Sequence, residues 1–430
     1  MGGRRRKFSM GSRIMLLMVL LVSLSSAYIF AHLMNGSSLM NVTSDGKAPL
    51  MGDSSASQYL SQADPSDPIE ADHAVPTVPG SLDMPSPVSE AELITLTVGG
   101  TAAVEKAIRQ SCYVSDSKSY DFTDVMKLLS DDIQGDISFV FLENVFMDDV
   151  KVSETIVPST AVSMLSAAGF QVGLAGFSKA WQKEMEGISD TSGALQDHGL
   201  DVLGICEQQE SPRTLVKNIH GIQAAFMQYT ANVSDNVRKS MQKKDAIWSV
   251  PEADINLITA DIHSARDAGA DLVVIFLNWG KEGKKEPDKK QTELAQQIAE
   301  AGADVIIGAG SRVTQKIEMI TTSDSRHVLC AYSLGALISE NRSSSERLGS
   351  IILQLSLIKN EGSVIVKEIQ YIPVYVWRFR QDGNYYYRCV ASDREPPDGM
   401  DDEQKKVMDK AFAAVQKVMA EGPAALREHP

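Results

Sequence analysis

The sequence predicts an α/β fold, a largely parallel or mixed sheet with helices on its faces, behind an N-terminal transmembrane helix. Three observations point there. Short apolar, β-branched runs alternate with amphipathic stretches from residue 93 to residue 332, the pattern of strand–helix units packed in layers. Two helix–strand junctions are near copies, Ala268-Gly269-Ala270-Asp271 and Ala301-Gly302-Ala303-Asp304. In each, glycine ends the helix in the left-handed conformation and aspartate opens the turn into the strand. At the start, Arg4, Arg5, Arg6, Lys7 and Arg13 precede an apolar run from Ile14 to Met34.

Residues 1–34 read as a basic cytoplasmic tip and an anchor long enough to cross about 30 Å of hydrocarbon. Basic residues stay inside, so the chain is expected at the cell membrane as a single-pass protein with its body outside the cytoplasm. Leu16 to Leu24 followed by Ser25-Ser26-Ala27 also fits a cleaved signal peptide. Both readings export the body. Residues 35–90 read as a disordered linker: Pro49, Pro65, Pro68, Pro76, Pro79, Pro85 and Pro87 fall among Ser, Asp and Gly with no apolar period. Residues 91–395 form the main domain, and residues 396–430 a C-terminal helix and tail.

Within the main domain, strands are expected over 93–98, 137–142, 172–175, 202–205, 222–229, 272–277, 305–307 and 328–332. Helices are expected over 122–129, 159–168, 191–198, 254–268 and 289–301. The style then changes to alternating apolar and polar residues, which predicts one hairpin over 350–357 and 363–371 and a second over 375–380 and 384–390. A last helix, 401–419, carries Val407, Ala411, Ala414, Val415 and Val418 on one face. Docking on the domain and binding a partner are both open to it.

The 430-residue chain is 43% hydrophobic, enough for a sizeable core, and its formal charge of −15 argues against binding nucleic acid. Cys112, Cys206, Cys330 and Cys389 are too widely spaced for a zinc motif. Disulfides and buried free thiols both remain open. No Walker loop, GxSxG elbow or HExxH pair occurs, and no cofactor is expected. Gly99-Gly100-Thr101 after the first strand suggests an anion-binding loop. His198, His220, His263 and His327 are not spaced as ligands.

Several stretches occur together in order: the strand 137–142 ending in Glu143, the step 168–175, Asn278-Trp279-Gly280-Lys281-Glu282, the helix 291–304, Gln315-Lys316-Ile317-Glu318, and Tyr332-Ser333-Leu334-Gly335. Over residues 93–375 this order resembles the CapA-like family of poly-γ-glutamate capsule biosynthesis proteins, domains similar to calcineurin-like metallophosphoesterases. The resemblance implies a metallophosphoesterase-like layered sandwich with mixed sheets flanked by helices. It also implies where a two-metal centre would draw its Asp, Asn and His ligands. At those places this chain has Gly99-Gly100, Phe141, Gly176-Phe177-Ser178, Asn278 and Ala309-Gly310-Ser311-Arg312. The family's histidines are absent from these stretches, so no metal ligands and no catalytic residues are assigned.

The ligand-binding candidates are Glu143, Asn278, Glu282, Arg312 and Glu318. Glu143 follows a strand, where α/β sheets form their ligand crevice. Arg312 would put a fixed cation where the family has metals, and its guanidinium can take a carboxylate in a bidentate manner. Trp279 reads as a packing residue or a stacking platform. The expectation is a membrane-anchored, extracytoplasmic domain tied to capsule or envelope biosynthesis, non-catalytic, binding or scaffolding an anionic polymer or an envelope-assembly protein. The alternative is a hydrolase with a rebuilt, non-histidine site, in which Glu143, Asn278, Glu282 and Glu318 would converge.

Overall fold

The computed structural model describes residues 93–428, apart from 361 and 425. The expected anchor and linker lie outside the described residues, among which no helix is long and apolar enough to cross a membrane.

Two sheets face each other. The first runs in the order β13-β12-β11-β1-β2-β3-β4. Its strands are β1 (Leu93–Ala102), β2 (Ile137–Leu142), β3 (Val172–Leu174), β4 (Asp201–Leu203), β11 (Gly349–Asn360), β12 (Ser363–Gln381) and β13 (Asn384–Ala391), with a short eighth strand, Leu426–Glu428, pairing beside β12. The β1–β4 half is parallel and the β11–β13 half antiparallel. The second runs β9-β10-β8-β7-β6-β5. It is built from β5 (Thr214–Ile219), β6 (Ile222–Thr230), β7 (Leu272–Asn278), β8 (Val305–Ala309), β9 (Ile317–Thr321) and β10 (His327–Ala331). Both sheets are mixed, as the alternation of patterns implied.

Strand periodicity sends alternate residues to opposite faces. Leu96, Val98, Phe139 and Phe141 of the first sheet meet Phe226, Val274, Phe276 and Ile307 of the second in one buried layer. Phe139 lies 4.8 Å from Phe226 and 4.7 Å from Phe276, ring to ring. The intervening residues face outward. Val140 and Leu142 pack with Leu165 and Leu195 beside the helix α2 (Glu184–Asp197). Val273, Ile275 and Leu277 pack under α4 (Ile255–Asp267) and α5 (Lys289–Glu300). Shorter helices include α1 (Lys106–Ser111) and α3 (Asp235–Lys243).

The two copied junctions do equivalent work. Gly269 and Gly302 have φ of 91° and 111°. Asp271 accepts the Gln223 amide and Asp304 the Val273 amide, so each aspartate latches its strand to the preceding one. Asp136 does the same to Thr95 in the first sheet.

The structure departs from expectation in several places. The expected helices 122–129 and 159–168 are each split between a short α-helix and a 3-10 turn, and the helix expected over 191–198 begins earlier, at Glu184. The two hairpins share one strand, because β12 runs unbroken for 19 residues through Pro373. Strands β5 and β9 and helix α3 were not expected. Their sequences are short and polar, and register with a neighbour defines the strands. The last helix, α6 (Asp402–Met419), docks on the domain through Met408, Ala411, Val415 and Met419, a face rotated from the expected one. Finally, Gly99 and Gly100 belong to β1 and are no anion loop. A Cβ on Gly100 would sit 2.5 Å from the Gly335 carbonyl, which accepts the Thr101 amide. Close backbone approach explains that pair.

Candidate functional site at the strand ends

Phe139, Phe141 and Glu143 follow one face of β2 toward the second sheet; Phe276 and Asn278 do the same from β7, and Ile307 and Ala309 from β8. Their C-terminal ends meet at the mouth of the inter-sheet layer, the usual ligand crevice of such sheets. Phe141, 1% exposed, lies 5.9 Å from Phe276 and closes the floor.

Arg312 closes the mouth. Gly310 follows the end of β8, with φ of 111° and a Cβ that would lie 2.4 Å from the Trp279 carbonyl. Arg312 follows with φ of 55°, a left-handed conformation that costs a non-glycine residue roughly 1–3 kcal/mol. Its side chain accounts for the strain. Nε donates to Glu143 Oε2 at 2.7 Å, Nη2 lies 2.6 Å from the same oxygen, and Nη1 donates to Glu105 Oε1 at 2.7 Å. The other oxygen of Glu105 accepts the Ser339 hydroxyl at 2.9 Å and the Glu340 amide at 2.7 Å. Asn278 also hydrogen-bonds Glu143. The guanidinium, Glu143 and Glu105 are 19%, 13% and 22% exposed.

Burial pushes the Glu143 carboxyl up, while Arg312 and Asn278 pull against it and nearby Glu282 adds to the rise. Burial works against the Arg312 charge, and Glu143 with Glu105 more than restores it. Glu282 is tied at 2.8 Å to Arg347. That bond holds its carboxyl below the ordinary range against the opposing effect of burial, helped by Arg312. Lys285 bonds Glu346 beside it, so the loop after β7 is clamped to the 344–347 segment.

Of the expected site residues, Glu143, Asn278 and Arg312 are brought into contact, with Glu282 at their edge. Glu318 is not among them. It sits on β9, held by Lys316 at 2.5 Å and by the Tyr332 hydroxyl at 2.8 Å, on the side of the second sheet that α4 and α5 cover. The fourfold convergence expected of a rebuilt acid–base site is therefore absent. Trp279 is a packing residue: it is 1% exposed, stacks on Tyr332 at 5.6 Å and donates to the Tyr332 carbonyl at 2.9 Å. Glu105 was missed. It stands outside any recognisable motif, and only the fold brings it within reach of a residue 207 positions later.

Among the described residues no three His, Cys, Asp or Glu side chains gather as a metal-binding group. All four cysteines are buried free thiols; burial pushes those of Cys112 and Cys389 up to about 12.

Comparison with known proteins places these features in context. The model of a family described as bacterial capsule synthesis protein PGA_cap matches residues 95–341. The capsule biosynthesis protein CapA of Bacillus anthracis is 26% identical over 157 residues, covering 36% of each chain. The PGA biosynthesis protein CapA of Bacillus subtilis (strain 168) is 26% identical over 202 residues, 46% of this chain and 50% of that protein. The chain thus spans half or less of the length of these relatives. Two solved structures are similar at 11% identity and a TM-score of 0.39. One is a hypothetical protein from Thermus thermophilus, matching 65% of this chain and 98% of that one. The other is the calcineurin-like phosphoesterase YfkN from Bacillus subtilis, matching 76% and 98%. Similarity at that level carries no conclusion about chemistry.

Proposed function

The chain belongs to the PGA_cap family of bacterial capsule synthesis proteins, and from that premise we propose that it serves capsule or poly-γ-glutamate assembly as a non-catalytic binding or scaffolding domain. The N-terminal apolar segment would hold it at the membrane with the domain outside the cytoplasm.

One observation carries the non-catalytic part: Arg312 bonded to both Glu143 and Glu105 at the strand ends. A dinuclear centre needs several anionic or imidazole donors with free lone pairs around two cations. Here one Glu143 oxygen and both Glu105 oxygens already accept hydrogen bonds. A guanidinium among them would repel an added divalent ion. Phe141 fills the floor with hydrocarbon. These residues fit a permanent organic cation and do not fit two metal ions.

The test is the metal content of the purified full chain after incubation with Mn²⁺ or Zn²⁺, together with hydrolysis of bis-p-nitrophenyl phosphate. The expected result is well under one ion per chain and no turnover above a heat-denatured control. Two ions per chain with turnover would overturn the reading. The capsule role is tested by deletion, which should lower surface polymer, with recovery when the full chain is restored.

A further inference from the structure

Past Gly349, which pairs with Tyr375, β11 has ended and the edge of β12 is open. Arg342 fills this edge. It donates to the Val376 carbonyl at 2.8 Å and to the Tyr375 hydroxyl at 2.6 Å, and its guanidinium lies 5.3 Å from the Tyr375 ring. Further along, Arg378 pairs with Tyr387 and Arg380 with Tyr385 across the β12–β13 ladder, so these four side chains share one face. Tyr385, half exposed, is flanked by the Arg378 and Arg380 guanidinium carbons at 4.6 and 5.8 Å.

Among the described residues none of these three arginines has a carboxylate within ion-pair distance; their partners are carbonyls, a hydroxyl and rings. Two acidic side chains near the Tyr387 and Arg388 positions are otherwise engaged. Glu340 accepts the Ala107 amide, and Asp124 holds Arg388 at 2.9 Å. Burial lowers the pKa of Arg342 against the pull of Tyr375, and the Arg378 charge lowers it further. A partly buried cation beside another cation is stabilised by an anion it does not yet have.

We propose that Arg342, Arg378 and Arg380 form a binding track for an extended polycarboxylate, with the Tyr385 ring as the spacer between two of them. Residues two apart on a strand face repeat at roughly 7 Å. Guanidinium forks take carboxylates in pairs of parallel hydrogen bonds. The choice of polymer rests on the capsule reading above; the location does not.

The experiment measures binding of fluorescent poly-γ-glutamate to the full chain by anisotropy at low and physiological salt, with heparin as a sulfated polymer and dextran as a neutral one. The wild type should bind the polycarboxylate with an affinity that falls as salt rises, and should ignore dextran. Arg378→Glu with Arg380→Glu should weaken binding at least tenfold with an unchanged unfolding midpoint. Arg380→Ala, at an exposed position, should weaken it by about threefold. Equal binding by wild type and variants would place the polymer elsewhere and overturn the track, leaving the capsule reading standing. No polycarboxylate binding by the wild type, or binding of heparin alone, would overturn the track as well. Metal uptake with hydrolysis would overturn the earlier reading and not this one.

Discussion

Arg312 holds Glu143 by two nitrogens on a single oxygen, at 2.7 and 2.6 Å, across 169 residues of sequence. The turn after β2 of one sheet is thereby joined to the turn after β8 of the other at the place where ligands would enter.

Removing the cation leaves two carboxylates in a poor solvent. Arg312→Met should cost about 3–5 kcal/mol of stability, the penalty for breaking a buried pair from one side. Adding Glu143→Gln should recover part of it. Urea unfolding of the two singles and the double gives the coupling; additive losses would show that the pair is not coupled.

Phe141→Asn would restore the residue type that the family resemblance places there. The fold should lose about 3–4 kcal/mol, because the change empties a buried aromatic site and strands an amide. It should also leave metal uptake unchanged, as read by elemental analysis of the folded variant. Tight uptake of divalent ions would contradict the occlusion by Arg312.

Acid should loosen the clamp between the β7 loop and the 344–347 segment. The Lys285 hydrogen bond, with the segment's own hydrogen bonds, holds the Glu346 carboxyl down at about 2 against an ordinary 4.5. Its folded pKa is depressed, so its contribution is present above about 4.5 and is lost as pH falls toward 2. Lys285 is 59% exposed, which limits the effect to roughly 0.5–1 kcal/mol. Thermal melts from pH 5 to pH 2 should show wild type converging on Glu346→Gln. A constant gap would contradict the assignment.

Two glycines should respond differently to alanine. At Gly269 a Cβ meets nothing within 4 Å, so only its φ of 91° opposes the change, at about 1–2 kcal/mol. At Gly308 a Cβ would lie 2.2 Å from both Trp279 Nε1 and the Tyr332 carbonyl. Gly308→Ala should cost more than about 3 kcal/mol by displacing the indole. Equal losses would mean that Trp279 moves freely.

What could be read from the sequence divides by the range of the interaction. Buried parallel strands such as Leu272–Asn278 and Ile137–Leu142 announce themselves as apolar runs, and helices α4 and α5 by period and caps. Edge strands β5 and β9 do not, because one side faces water and their pairing is nonlocal. The unbroken β12 was hidden by Pro373, which usually ends a strand but here pairs only with Ile351 of β11, one residue before the β13 ladder begins at Val374. At the site, Glu143, Asn278 and Arg312 were legible because each closes a strand. Glu105 was not, and Glu318 misled because its neighbours on the strand looked like a motif continuation while its side chain turns to the helix-covered side.

The charge at the mouth of the sandwich is part of the polypeptide. It arrives with translation, needs no uptake or loading step, and cannot be stripped by a chelator or exchanged for a wrong ion. A domain braced in this way keeps its geometry in surroundings poor in transition metals, and every copy emerges from the ribosome already equipped.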